Sequence, residues 1–230
     1  MGDAEHPGST KGPPMPRLSS DNLASQRERA YSALRRLLIL QQVEPGGRLR
    51  EPQWSQRLGV HRSALREAFA RLAAEGMIRR GERTGYFVPE LTPEDLAEIT
   101  KLRLALECLA IDEVCANASP DLAPMTQASE EFARFLEGEY SLGAIEADRR
   151  FHEALVDAAR MRRLSDLYNR APIPLIHGGV EEPERWRAAC ARTLDEHRRI
   201  LDALQARDAE RAKKALREHL AHLLLLPLRH

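Results

Sequence analysis

Asp148 and His152 stand four residues apart in a run of helical pattern, A-D-R-R-F-H-E-A-L, so both side chains leave one face of a helix. His197, in D-E-H-R-R-I-L, and His219, in L-R-E-H-L, fall on two further helical segments. One carboxylate and neutral imidazoles suit a borderline divalent ion: zinc first, with nickel or manganese as alternatives. An i, i+4 pair from one helix and single histidines from two others can converge inside a bundle, where such sites are built. A lone helical histidine is more often solvated or satisfied within a core than a ligand, so spacing alone leaves both readings open. His6, His61, His177, His222 and His230 show no comparable pattern.

A second set of residues is basic. In R-L-G-V-H-R-S-A-L-R-E-A, Arg62 and Arg66 open a helical segment four residues apart and project from one face. An arginine on such a face can pair bidentately with guanine in a DNA major groove. These two are the candidates for base-edge readout, with His61 and Ser63 as secondary contacts. Arg48, Arg50 and Arg83 suit phosphate contact, which positions a protein without reading sequence. Gly85 lets the backbone approach the duplex closely. Arg57 and Arg71 read as ordinary solvated helix-face residues.

The elements that must carry these side chains follow from period and punctuation. Residues 1–22 are rich in Gly, Pro and Ser and read as a disordered tail. From Leu23 to Val43 apolar residues recur at helical spacing, ended by Pro45-Gly46-Gly47. A short helix over 52–58, a tight turn at Gly59 and a helix over 63–75 capped by Gly76 form a helix-turn-helix. Met77–Arg80 and Tyr86–Val88 flank a Gly/Arg-rich turn, a two-strand wing. The segment 23–88 is therefore expected to be a winged helix-turn-helix. Thr92-Pro93-Glu94-Asp95 then starts a new helix, with Thr92 as N-cap. Approximate helices over 93–117, 120–137, 141–158, 160–170, 183–204 and 208–225 make 89–230 an antiparallel helical bundle. The fold class is mainly α, and the stretch from Pro172 to Pro183 should break the helical run.

A chain of 230 residues holds one large domain or two small ones. Its formal net charge of zero hides an asymmetry: residues 23–88 carry 13 Arg against 6 Glu and no Lys, while the rest is acidic. A basic first part suits a polyanionic partner. No apolar run approaches a membrane span; Leu223–Leu226 is far too short and reads as the buried end of the last helix. There is no secretory signal pattern, and three cysteines, Cys108, Cys115 and Cys190, lack C-x-x-C spacing. Cys108 and Cys115, seven apart, are expected in the core. A cytoplasmic, bacterial setting with no membrane partner is the expectation.

The residues resemble the GntR family of bacterial transcription regulators, specifically its FadR/FCD subfamily. The likeness runs through P-G-x-R-L-R-E, L-G-V-x-R-x-x-L-R-E-A, L-x-x-E-G-M-I and T-G-Y-F-V in the first part. In the second it runs through L-R-L-A-L-E, D-x-x-F-H, E-H-R-x-I-L-x-A-L and A-x-x-A-L-R-E-H-L. It covers about residues 27–225. The resemblance implies a metal site at Asp148, His152, His197 and His219, since metal-binding members use one Asp and three His at those positions. It also implies a small carboxylate effector bound in the bundle, where Arg103 matches a family arginine able to pair with that carboxylate. A salt bridge from Arg103 to Glu107 competes with that role.

The function so implied is a homodimeric DNA-binding regulator, more often a repressor, reading a palindromic operator on double-stranded DNA. It is not an enzyme. Two alternatives stand beside it: a DNA-binding dimer whose bundle answers to metal alone or is purely structural, and a metal-dependent hydrolase. Pro52, His61, Ala64 and Trp54 depart from the family's usual residues, and Pro172 to Pro183 replaces a helix near the effector cavity.

Overall fold

In the first part of the chain, helix α1 (Ser20–Ile39) lays Ala30, Tyr31 and Leu34 onto helix α3 (Arg62–Ala74), which answers with Leu65, Phe69 and Leu72. A computed structural model describes residues 20–40, 42–81, 85–90, 92–170 and 183–221. Helix α1 begins inside the tail expected over 1–22, whose last three residues, 20–22, are helical rather than disordered. Residues 1–19, Arg83, the 171–182 stretch, His222 and the leucine run at 223–226 lie outside the described residues.

Helix α2 (Glu51–Leu58) stops at Gly59, whose φ of 61° is left-handed and costs a residue without Cβ little. Val60 N–H donates back to the Ser55 carbonyl at 3.1 Å, and Ser55 Oγ donates to the Val60 carbonyl at 2.6 Å. This closes the turn and sets α3 across α2. Trp54 is buried in the same core. Strands β2 (Arg79–Arg80) and β3 (Tyr86–Phe87) form the expected hairpin. A third strand, β1 (Arg48–Leu49), pairs antiparallel on the other side of β3, so the sheet order is β1-β3-β2. Two residues have no readable period, which is why this strand escapes a sequence reading.

Helix α4 (Pro93–Ala116) begins with a reciprocal cap: Thr92 Oγ1 accepts from Asp95 N–H at 3.1 Å, and Thr92 N–H donates to Asp95 Oδ2 at 2.9 Å. There follow α5 (Ala123–Glu137), α6 (Ser141–Ala158), α7 (Arg162–Arg170), α8 (Pro183–Gln205) and α9 (Ala209–Ala221). The α5–α6, α8–α9, α4–α9 and α4–α6 pairs pack together around Ile111, Val114, Met125, Phe151, Leu155, Ile200 and Leu216. Burying each such side chain is worth roughly 1.5–3 kcal/mol. Helix α6 is central, with ten of its residues buried against other helices. Cys190 is buried as a free thiol, whereas Cys108 and Cys115 are half-buried rather than core residues, packed at the edge of the cluster.

The head and the bundle touch through charge. Arg35 of α1 meets Glu146 of α6, and Arg35 Nε lies 3.7 Å from Glu75 Oε2. Among the described residues no helix is long and apolar enough to cross a membrane.

Candidate functional site

Helix α6 sends Asp148 and His152 inward from one face, α8 adds His197 and α9 adds His219. One ligand atom from each of the four lies within 4.8 Å of every other, and all four side chains are buried. His152 Nε2 and His219 Nε2 are 3.0 Å apart, His197 Nε2 is 3.2 Å from Asp148 Oδ1, and His152 Nε2 is 3.8 Å from the same oxygen. Helices α6, α8 and α9 thus bring together the candidate residues named from type and spacing.

Two further carboxylates stand behind the imidazoles. Glu107 Oε2 is 2.6 Å from His152 Nδ1, and Glu196 Oε2 is 2.9 Å from His219 Nδ1. Glu107 Oε1 accepts from Arg103 Nε at 3.0 Å and from the Tyr168 hydroxyl at 2.9 Å. Burial alone would raise the Glu107 carboxyl, but the Nδ1–H of His152 and the Arg103 guanidinium outweigh it and hold the carboxyl below its usual range. Burial also pushes the Tyr168 hydroxyl well up, reinforced by the adjacent Glu107 charge. For His152, His197 and His219 burial is the largest influence and lowers the pKa, favouring the neutral imidazole that a metal requires.

The residues fit a divalent ion on their own geometry. With Nδ1–H donated to a carboxylate, both His152 and His219 turn an Nε2 lone pair toward the other, an arrangement that a shared cation satisfies. Neither ring nitrogen of His197 is in hydrogen-bonding geometry, Nε2 meeting Asp148 Oδ1 only as a 3.2 Å contact, and its ring lies flat against Phe151, centroids 3.8 Å apart. An unpaired buried donor or acceptor costs about 1–3 kcal/mol. Coordination through Nε2 removes one such cost. Three imidazoles and one carboxylate form a borderline donor set suited to zinc, nickel or manganese.

Arg103 is 7% exposed and engaged with Glu107, the structural pairing that its spacing allows. Its guanidinium is held firmly protonated: burial opposes the charge, but Glu107 more than compensates.

At the head, His61, Arg62, Ser63 and Arg66 are exposed together around the first turn of α3, opposite the buried Ala64, Leu65 and Ala68. Arg66 Nε donates to Glu51 Oε2 at 2.6 Å. Arg48 and Arg50 are exposed at either side of Leu49. Gly85 has a φ of +96°, and a Cβ there would come within 3.2 Å of Arg48 Nε, so glycine serves both the turn and the close approach of Arg48. Arg57 and Arg71 differ from simple solvated residues. Arg57 lies over the Trp54 ring at 4.7 Å, Arg71 over Tyr31 at 3.5 Å, and Arg71 also pairs with Glu28 and Glu75.

Glu196 and Tyr168 escaped the sequence reading, and Glu107 figured there only as a partner for Arg103. A hint existed: Glu107 follows Arg103 at i+4 in an otherwise apolar helix face, and a carboxylate there must be buried. Glu196 gives no hint, because its neighbour in sequence is not its partner in space.

Residues 26–88 match the bacterial regulatory proteins of the gntR family, and residues 98–222 match the FCD domain. The HTH-type transcriptional regulator YdhC of Bacillus subtilis (strain 168) is 30% identical over 194 residues, covering 84% of this chain and 86% of that protein. The HTH-type transcriptional repressor RspR of Escherichia coli (strain K12) is 25% identical over 203 residues, covering 85% and 86%. Among solved structures, a GntR transcriptional regulator from Rhodococcus sp. RHA1 superposes with a TM-score of 0.64 at 26% identity, over 87% of this chain and 96% of that one.

Proposed function

This chain belongs to the GntR family of bacterial regulatory proteins, carries an FCD domain and is a transcription regulator rather than an enzyme; from that premise we propose a metal-dependent, effector-controlled repressor. Residues 23–88 form the DNA-reading head and 89–230 the responsive body. The head acts as one half of a homodimer on a palindromic operator. Arg62 and Arg66 read base edges, His61 and Ser63 assist, and Arg48, Arg50 and Arg83 contact phosphates beside the Gly85 turn. Arg66 pairs with Glu51, so contact with a base edge would exchange one acceptor for another.

The observation that carries the regulatory half is the convergence of Asp148, His152, His197 and His219 within 4.8 Å in a buried core. These four residues would hold a divalent ion, zinc before nickel or manganese, which when bound supplies a positive centre for a small carboxylate effector. Arg103 offers that carboxylate its remaining N–H donors, since Nε is committed to Glu107. The same commitment favours a second reading in which the bundle answers to the metal alone.

Effector binding must favour one placement of the head over another. Helix α6 supports this role, because it carries Asp148 and His152 inward and Glu146 outward to Arg35 of α1. The charges around Arg35 include Glu75 of the head and Arg149 and Glu153 of α6. Helix α1 in turn packs on α3, the reading helix. A shift of α6 at the metal centre would therefore reach α3 through one helix.

The test is binding of the intact protein to promoter fragments, with and without added zinc, across a panel of small carboxylates. Asp148→Ala with His197→Ala should abolish metal uptake and effector response while leaving metal-free DNA binding. Failure of wild-type protein to bind any such fragment at low salt would sink the DNA half. An effector response unchanged in the double variant would sink the metal half.

A further inference from the structure

Glu107 and Glu196 lie outside the ligand set, yet each places a carboxylate behind a ligand imidazole, at 2.6 Å and 2.9 Å from Nδ1. Both side chains are buried to 0% and 1% exposure, and each reaches a histidine on a different helix: α4 to α6, and α8 to α9. An acceptor at Nδ1 fixes the proton there and leaves the lone pair on Nε2. His197 has no such acceptor and is oriented by the face of Phe151 instead.

We propose that Glu107 and Glu196 are positioning residues of the metal centre, acting through His152 and His219, and that Glu107 also ties helix α7 to that centre. This rests on the metal reading above. One Glu107 oxygen faces His152, while the other accepts from both Arg103 and Tyr168. A single carboxylate thereby joins α4, α6 and α7. Helix α7 supplies no ligand among the four, but its Tyr168 hydroxyl is placed by the same group that places His152. Arg103 compensates the Glu107 charge, so the buried carboxylate stays an acceptor.

The test uses the full-length protein and zinc itself, titrated against a chromophoric chelator, for wild type, Glu107→Gln, Glu196→Gln and Tyr168→Phe. Glutamine keeps the shape but loses the charge. Each glutamine variant is expected to bind zinc roughly 10–100-fold more weakly, the usual cost of losing such a partner, while still reaching one ion per protomer. Tyr168→Phe should show a smaller loss in the same direction. Absorption of the cobalt-substituted proteins should shift in the glutamine variants, because a reoriented imidazole changes the ligand field; a merely structural role would leave those bands unmoved. If Glu107→Gln fails to fold because Arg103 loses its partner, Glu196→Gln decides, since it leaves the Arg103 pair intact. Wild-type zinc affinity and cobalt spectra in both glutamine variants would overturn the positioning role while leaving the four ligands standing. Equal zinc affinity in Tyr168→Phe and wild type would overturn the tie to α7. Failure of wild type to take up zinc or cobalt would overturn the metal reading and this inference together.

Discussion

Phe151 lies against His197 with ring centroids 3.8 Å apart and planes only 11° from parallel. The two come from α6 and α8, and Phe151 sits one residue from the ligand His152. The apolar core and the ligand cage therefore share a wall. Phe151→Ala should cost about 3–5 kcal/mol of stability in denaturant titration, as other large core truncations do. It should also weaken zinc binding, since His197 loses the surface that orients it. Unchanged zinc affinity in a folded Phe151→Ala protein would show that the stack serves packing alone.

Metal removal should lower the melting temperature. A ligand at 100 times its Kd adds about 2.7 kcal/mol to the folded state, and stripping it with a chelator withdraws that increment. Differential scanning calorimetry before and after chelation, then after zinc readdition, measures it. Superimposed traces would argue against any ion in the cage.

The arginines of the head should divide into two classes. Arg62→Ala is expected to cost about 1–3 kcal/mol on the preferred operator and to relax discrimination at one base pair. Arg48→Ala should weaken all sequences alike and reduce the slope of log affinity against log salt by about one. Fluorescence anisotropy across a salt series separates them. Equal losses on specific and random DNA for Arg62→Ala would remove it from base readout.

Arg35 and Glu146 should matter to communication more than to either site. Allosteric coupling is typically about 1–3 kcal/mol, or 5–150-fold in affinity. In Arg35→Ala, the ratio of operator affinities with and without zinc and effector should fall toward one while zinc affinity holds. A ratio equal to wild type would redirect attention to the linker before Thr92.

Cys190 should be inert. Burial, with a smaller contribution from Asp148, pushes its thiol up to about 12. The thiolate grows only as pH rises toward that value, so at pH 8 about one thiol in ten thousand is ionised. Mass spectrometry after iodoacetamide treatment should find Cys190 unlabelled in folded protein and labelled after denaturation. Rapid labelling of the native state would mean that α8 opens.

Much of this architecture was legible in the chain. The helix over 93–117 was marked by Thr92, Pro93 and Asp95, because a cap is local chemistry and needs no tertiary partner. Gly59 marked the turn of the head for the same reason. Strand β1 was not legible, since two residues become a strand only when β3 lies beside them. The stacking of Arg57 and Arg71 on aromatic rings was equally hidden: side-chain type shows that an arginine can stack, but not which ring it will meet.

Helical period was enough to put Asp148 and His152 on one face, whereas His197 and His219 joined them as a ligand set only through the family resemblance. Only the tertiary structure decided that Glu107, 45 residues from His152, and Glu196, 23 from His219, stand behind those imidazoles. Helical periodicity fixes directions around one axis. Distances between axes depend on how whole faces pack, and that packing set the carboxylates against the cage.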